Sequence, residues 1–222
     1  MFKFFKRSQE TNPEVIRLNN KGNELFSNNE PQKALDCFNQ SVDIDPSYAD
    51  TYYSRGIVYS SLNQHKNAVD NFKIAISYEP NDEYLYLAMV KSLLALNDYK
   101  NLDMCYSNIL RLNPKSTFAC HGKISACFKI GDYKEVIKSC SMLLKSDSNS
   151  AFAFYYRASS YNRISQFKKA IPDFIQAIEN IDNFQEDKYL PYLGLANAYQ
   201  KLGDTDKMNN YLVKAREYGY KH

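Results

Sequence analysis

The sequence predicts an all-α protein, a solenoid of about six helix-turn-helix units. Three observations predict it. Apolar and aromatic residues recur at a fixed step of 34 positions: Phe38, Phe72, Tyr106, Cys140 and Phe174 form one series, Ala34, Ala68, Leu102, Val136 and Ala170 a second, and Leu25, Tyr59, Leu93, Cys127 and Tyr161 a third. A step of that size marks stacked supersecondary units rather than one closed core. Within each period, apolar residues fall three and four positions apart, the spacing of an amphipathic helix. Pro46, Pro80 and Pro114 close three of the periods, where a ring nitrogen cannot continue the hydrogen-bond ladder.

The second period illustrates the reading. Its first helix is expected from about Asp50 to Leu62, with Tyr52, Gly56, Tyr59 and Leu62 on one face, and Asn63-Gln64 turns the chain. Its second helix is expected from about Lys66 to Tyr78, with Ala68, Phe72, Ala75 and Ile76 inward, and Pro80 ends it. Gly56 and Ala68 let the two backbones approach, Tyr59 and Phe72 fill the space between them, and Ala75 leaves room for the next unit.

Composition narrows the function. Of 222 residues, 44% are hydrophobic and 24% charged, a globular balance. Gly numbers 7, as suits helices joined by short turns. The formal charge is +3, with Lys and Arg spread along the chain. No basic stripe of the kind that tracks a phosphate backbone is visible, so nucleic acid is not an expected partner. Five Cys without framework spacing read as reduced thiols, which favours a cytoplasmic location. No apolar run approaches the roughly 18 residues of a membrane helix. The start of the chain carries Phe2, Phe4 and Phe5 beside Lys3, Lys6 and Arg7. It is too short for a secretory signal. It reads as a terminal tail, and weak contact with a membrane surface is its functional alternative.

The residues resemble the tetratricopeptide repeat. That family favours a bulky residue in slot 4, a small one in slot 8, Tyr or Leu in slot 11, Ala in slot 20, an aromatic in slot 24, Ala in slot 27 and Pro in slot 32. Repeat one (15–48) offers Leu18, Gly22, Leu25, Ala34, Phe38, Ser41 and Pro46. Repeat two (49–82) offers Tyr52, Gly56, Tyr59, Ala68, Phe72, Ala75 and Pro80. Repeat three (83–116) keeps Tyr86, Leu93, Tyr106 and Pro114 but has Val90 and Leu102 in the small slots. Repeat four (117–150) diverges furthest, with Cys120, Ile124, Cys127, Val136 and Cys140. Repeat five (151–188) restores Phe154, Ala158, Tyr161, Ala170, Phe174 and Ala177. Repeat six (189–218) is shifted by four residues and shows Tyr192, Ala196, Tyr199, Leu202, Leu212 and Ala215. A tail of 1–14 precedes the array and 219–222 follows it. The resemblance implies a right-handed α-solenoid. Larger residues in the small slots of repeats three and four are expected to spread those helices or alter the superhelix. Pro172 is expected to kink its helix or delay its start, and Asn180–Lys188 reads as a longer loop or an extended helix start.

The resemblance further implies that slots 2, 5, 9, 12 and 13 of each first helix line a concave groove. The expected peptide-binding residues are Asn23, Tyr53, Ile57, Tyr84, Leu87, Lys91, Phe118, His121, Phe128, Phe152, Tyr155 and Arg163. Leu94, Ser125, Lys129, Ser159 and Asn162 fall in the same slots. Such a row of apolar and aromatic side chains, outside the intra-repeat core, is the chemistry of an interaction site. The family's carboxylate clamp for chaperone tails uses Lys, Asn and Arg. Here Asn23 matches one Asn, but Asn19, Ser54, Tyr84 and Leu87-Ala88 stand where the other clamp residues would be. An apolar helix or extended segment is therefore the expected ligand.

Catalytic chemistry has no foothold in the pattern. Cys120, His121, Cys127 and Cys140 gather in one repeat. Cys120 and Cys127, however, lie two helical turns apart, about 10 Å of rise, too far to share a tetrahedral ion. The three Cys occupy core slots, where thiols pack as small hydrophobes. His65 and His222 have no nucleophile at a useful spacing, Asp43 and Asp45 sit at a helix end, and no Gly-rich phosphate loop is present. No catalytic residue, metal or cofactor is expected. The reading is a non-enzymatic scaffold or adaptor that binds a partner peptide or amphipathic helix. The alternative is a membrane-surface assembly factor tethered through its N-terminal Phe and Lys residues. The last helix is expected to cap the stack itself or to self-associate through Met208, Tyr211 and Leu212.

Overall fold

The computed structural model describes residues 12–221. Twelve α-helices follow one another: α1 (Pro13–Ser27), α2 (Pro31–Ile44), α3 (Ala49–Ser61), α4 (His65–Tyr78), α5 (Glu83–Ala95), α6 (Tyr99–Leu112), α7 (Thr117–Ile130), α8 (Tyr133–Ser146), α9 (Ala151–Arg163), α10 (Phe167–Glu179), α11 (Tyr189–Leu202) and α12 (Thr205–Glu217). A 3-10 turn at Ile181–Asn183 lies before α11, and no strand occurs among the described residues. The chain divides into two compact units, Met1–Ala119 and Cys120–His222. In each, consecutive helices pack as antiparallel hairpins.

One turn joins the helices of every hairpin. After the first helix comes a left-handed residue, at Asn29 (φ 62°), Asn63 (58°), Asn97 (54°), Gly131 (84°), Ser165 (60°) and Gly203 (80°). The following N–H then donates back over the helix end, from Glu30 to Leu25, Gln64 to Tyr59, Asp98 to Leu93, Asp132 to Cys127, Gln166 to Tyr161 and Asp204 to Tyr199, at 2.8–3.0 Å. This double closure satisfies carbonyls that a bare helix end leaves open. Gly and Asn enter the left-handed region cheaply, whereas Ser does so at a steric cost of about 1 kcal/mol. Ser165→Asn is therefore expected to stabilise the second unit by about 0.5–1 kcal/mol, read as a higher thermal midpoint; an unchanged or lower midpoint contradicts this account.

The core follows the small-slot logic. A Cβ on Gly22 would stand 2.5 Å from the Phe38 ring, and one on Gly56 2.7 Å from Phe72. Both rings are fully buried. In the fourth hairpin the expected spreading is offset by an exchange of volume. Ile124 occupies the small slot, but Cys140 replaces the aromatic opposite it, and the two are buried in one cluster with Val136. In the third hairpin Val90, Leu102 and Tyr106 are likewise buried, at 1–4% exposure.

Arginines in slot 7 tie hairpins together in a way the periodic apolar pattern does not announce. Arg55 on α3 donates to Asn71 on α4 (2.7 Å) and to Asn39 on α2 (2.9 Å). Arg157 on α9 repeats the arrangement with a charge added. It donates twice to Asp173 on α10, at 2.7 Å each, and to Ser141 on α8 at 3.1 Å. Asp173 is 6% exposed.

Two local expectations change. Helix α10 begins at Phe167, in the same slot as its counterparts, and carries Pro172 inside it, so the delayed start does not occur. Pro172 is exposed, and the Lys168 carbonyl it would have engaged lies on the side that water reaches. The stretch after α10 is an ordered plug rather than a plain polar loop. Phe184 is 4% exposed, its ring 5.2 Å from that of Tyr155. Glu186 accepts a 2.7 Å hydrogen bond from the Tyr156 hydroxyl.

Candidate functional site

In the first unit the first helices are α1, α3 and α5. On α1, Asn19 is buried and Asn23 half-buried, and the side-chain oxygen of each is buried without a hydrogen-bond partner among the described residues. On α3, Ile57 is half-buried and Tyr53 packs against the core of Tyr52, Ala75 and Leu85. On α5, Lys91 is exposed, Leu87 half-buried, and Tyr84 and Leu94 are 52% and 51% exposed. Phe118, at the start of α7, is 54% exposed although its ring meets Tyr106 edge-on at 5.7 Å. The α5 face thus offers exposed apolar surface, as does Phe118, while Tyr53 is largely a packing residue.

In the second unit the expected groove rings do not stand apart from the core, and that expectation is corrected. Phe128, Phe152 and Tyr155 all pack on the cluster of Ile124, Cys127, Cys140 and Tyr156. Phe152 lies 4.5 Å and Phe128 5.3 Å from the Tyr156 ring, centroid to centroid. With aromatic rings in adjacent first helices, the seam between the helices closes on itself. His121 lies flat on Phe152 at 4.3 Å. Burial holds its pKa below the usual histidine value, with Asp147 acting in the opposite direction. The unfolded chain therefore takes up a proton more readily than the folded one. Stability should decline as the pH falls through the ordinary histidine range, about 7 to 5.5, and be retained above it. His121→Gln is expected to flatten that part of a stability-against-pH curve; an unchanged slope would assign it to other groups.

Burial also pushes the thiols up, Cys105 to about 12, with Cys120 and Cys140 raised for the same reason. Such thiols are poor nucleophiles and metal ligands at neutral pH. Among the described residues no group of three His, Cys, Asp or Glu side chains is placed to hold a metal ion.

Between α9 and α11 the second unit opens a pocket of about 470 Å³. Phe128, Tyr155 and Phe174 line it from one side and Leu190, Leu193 and Gly194 from the other. Ser159, Asn162, Arg163, Asn197 and Lys201 supply its polar groups. Gly194 is what lets α11 come so close: a Cβ there would collide with the Phe174 ring. Asn162 donates to the Gly194 carbonyl at 2.9 Å, and its own side-chain oxygen is buried without a partner among the described residues. The residues on α11 were missed in the sequence, though the signal was present. Counted from Tyr189, slots 2, 5, 9 and 13 are Leu190, Leu193, Asn197 and Lys201.

At the C-terminal end the residues after α12 dock back onto α11. Tyr218 stacks on Tyr192 at 5.0 Å and Tyr220 meets Tyr189 at 5.6 Å. Met208, Tyr211 and Leu212 are half-buried, and Val213 is exposed. No described helix is long and apolar enough to cross a membrane. The N-terminal Phe and Lys residues of the tether alternative lie outside the described residues.

Two family profiles match the chain, one described as TPR repeat over residues 22–63 and one as tetratricopeptide repeat over 49–82. No curated protein matches the sequence. Among solved structures the chain is similar to YrrB, described as a TPR protein with an unusual peptide-binding site. That similarity has 26% identity and a TM-score of 0.63 over 82% of this chain and 92% of YrrB. A MamA protein is 20% identical at a TM-score of 0.64, over 77% of this chain and 91% of its own. MamA (41-end) from Desulfovibrio magneticus RS-1 is 16% identical at 0.57, over 94% and 96%. Together with the helical hairpins these likenesses establish a helical repeat solenoid.

Proposed function

We propose that this chain, a tetratricopeptide-repeat protein, is a non-enzymatic interaction scaffold that holds a segment of a partner protein, extended or helical, against the first-helix face of its units. One observation carries the reading. On those faces, incompletely buried apolar side chains such as Tyr84, Leu87 and Leu94 accompany asparagines, Asn19, Asn23 and Asn162, whose buried oxygens find no donor in the described chain. A partner polypeptide covers those apolar side chains with its own, and a shift of the asparagine side chains lets its backbone N–H groups donate to their oxygens. The likeness to YrrB, itself described by its peptide-binding site, points the same way.

The test is an affinity capture with the wild-type chain beside Leu87→Glu with Leu94→Glu, two positions whose incomplete burial lets the variant fold. A partner held by the wild type and lost by the variant, at an unchanged thermal midpoint, supports the scaffold. A wild type that retains no polypeptide at micromolar concentration removes it. Self-association through the last hairpin is the further expectation for partners, and light scattering at rising concentration reads it directly.

A further inference from the structure

Lys129, Arg163 and Lys201 occupy one slot, the thirteenth, of α7, α9 and α11, each in its helix's last turn. They are 34 and 38 residues apart, so no basic run marks them in the linear sequence. All three are exposed. Five other cations of this unit form ion pairs, Lys123 and Lys138 with Glu135, Arg157 with Asp173, Lys188 with Asp182, and Lys207 with Asp204. None of the three in the column pairs with an acid among the described residues. Two of them, Arg163 and Lys201, line the pocket, whose wall holds no acidic side chain.

A cation in a last turn also complements the helix dipole. That role does not require cations to gather at the rim of one pocket. Helices α1, α3 and α5 end without any basic residue in the last turn. Basic last turns also occur on α6, α8 and α12, so what sets the column apart is its shared first-helix slot and the pocket that Arg163 and Lys201 line.

We propose that this pocket takes an acidic, extended peptide segment of a partner protein, with carboxylates on Arg163, Lys201 and Lys129 and apolar side chains against Tyr155, Leu190 and Leu193. The inference rests on the scaffold reading above and adds the ligand's charge and place. Charge-assisted hydrogen bonds to carboxylate are the strong ones, and the Arg fork donates two of them to one carboxylate. Packed helix axes lie about 8–10 Å apart. An extended chain advances about 3.3 Å per residue. The column therefore reads acids spaced about every third residue, with the residues between them free to turn toward the floor.

Displayed random peptides of about 12 residues, panned on the full chain and on Arg163→Glu with Lys201→Glu, test this. The wild type is expected to enrich sequences with two or more Asp or Glu about three apart, and the variant to lose that enrichment. A selected peptide, labelled with fluorescein and followed by anisotropy, should bind the variant at least about tenfold more weakly. It should also weaken severalfold between about 50 and 200 mM salt. Arg163→Gln with Lys201→Gln should fall between the two and carries the comparison should the Glu variant lose its fold. Enrichment without acidic bias, or bias that survives in the variant, overturns the inference and leaves the scaffold standing. No enrichment at all takes both down. Labelled oligouridine that binds as tightly as the peptide through the same two residues would mark a general polyanion site and overturn the assignment to peptide.

Discussion

Phe72→Ala is expected to cost the first unit about 3–5 kcal/mol, the range for deleting a fully buried aromatic ring. Phe72 has no exposure, and its ring sits where Gly56 has no side chain. Little in the hairpin can collapse into the space, because the nearest neighbour on one side is helix backbone. Denaturant unfolding followed by circular dichroism should show the first unit melting early. The paired substitution sharpens the test. Gly56→Ala alone gains about 1 kcal/mol of helix propensity but forces a Cβ against the ring, at about 1–3 kcal/mol, and is expected to destabilise. With Phe72→Ala already present the clash is gone, and the same Gly56→Ala should stabilise. A sign that does not reverse between the two backgrounds would show that the glycine is not there for the ring.

Asp173→Ala is expected to remove about 2–3 kcal/mol from the second unit. Its carboxylate takes both forks of Arg157, and the two side chains are 9% and 21% exposed. Removing one member of a buried pair leaves the other charge without compensation, about 3–5 kcal/mol in a fully enclosed site. The partial exposure of Arg157 lowers that figure. Asp173 holds Arg157 in its protonated form, the first cause of its raised pKa, so the side chain has no neutral state to retreat to. Arg157→Met with Asp173→Ala should recover most of the loss. If the single variant melts with the wild type, the bridge is a surface decoration.

Much of the fold was legible because the apolar slots repeat. Two of the three series stated from the sequence, Ala34 through Ala170 and Phe38 through Phe174, are buried throughout, whereas the third is buried at Leu93 and Cys127 and only half-buried at Leu25, Tyr59 and Tyr161. What escaped was set by polar and backbone geometry. The left-handed slot reads Asn, Asn, Asn, Gly, Ser, Gly, a pattern of tolerance rather than of hydrophobicity. The bidentate pair of Arg157 and Asp173 joins residues 16 apart, a distance no helical period singles out. In the groove, residue class told where a side chain starts but not how deeply it packs. Tyr84 is 52% exposed, whereas Tyr155, in another groove slot, packs against the ring of Phe184. The covering residue belongs to an insertion, and insertions are what a periodic reading passes over.

The grip of Arg157 has a consequence for how the second unit comes apart. Stacked hairpins ordinarily hold only their neighbours, so the ends should open and the opening should spread inward step by step. Arg157, on α9, fastens its own hairpin to the preceding one by clasping α8 and α10 at once. Fraying that begins at α12 should pass through α11 and then stall, because releasing α10 means breaking the clasp and the ring packing together. Amide protons of α8, α9 and α10 should then exchange with solvent as one slow block, and in Asp173→Ala that block should dissolve into separate rates.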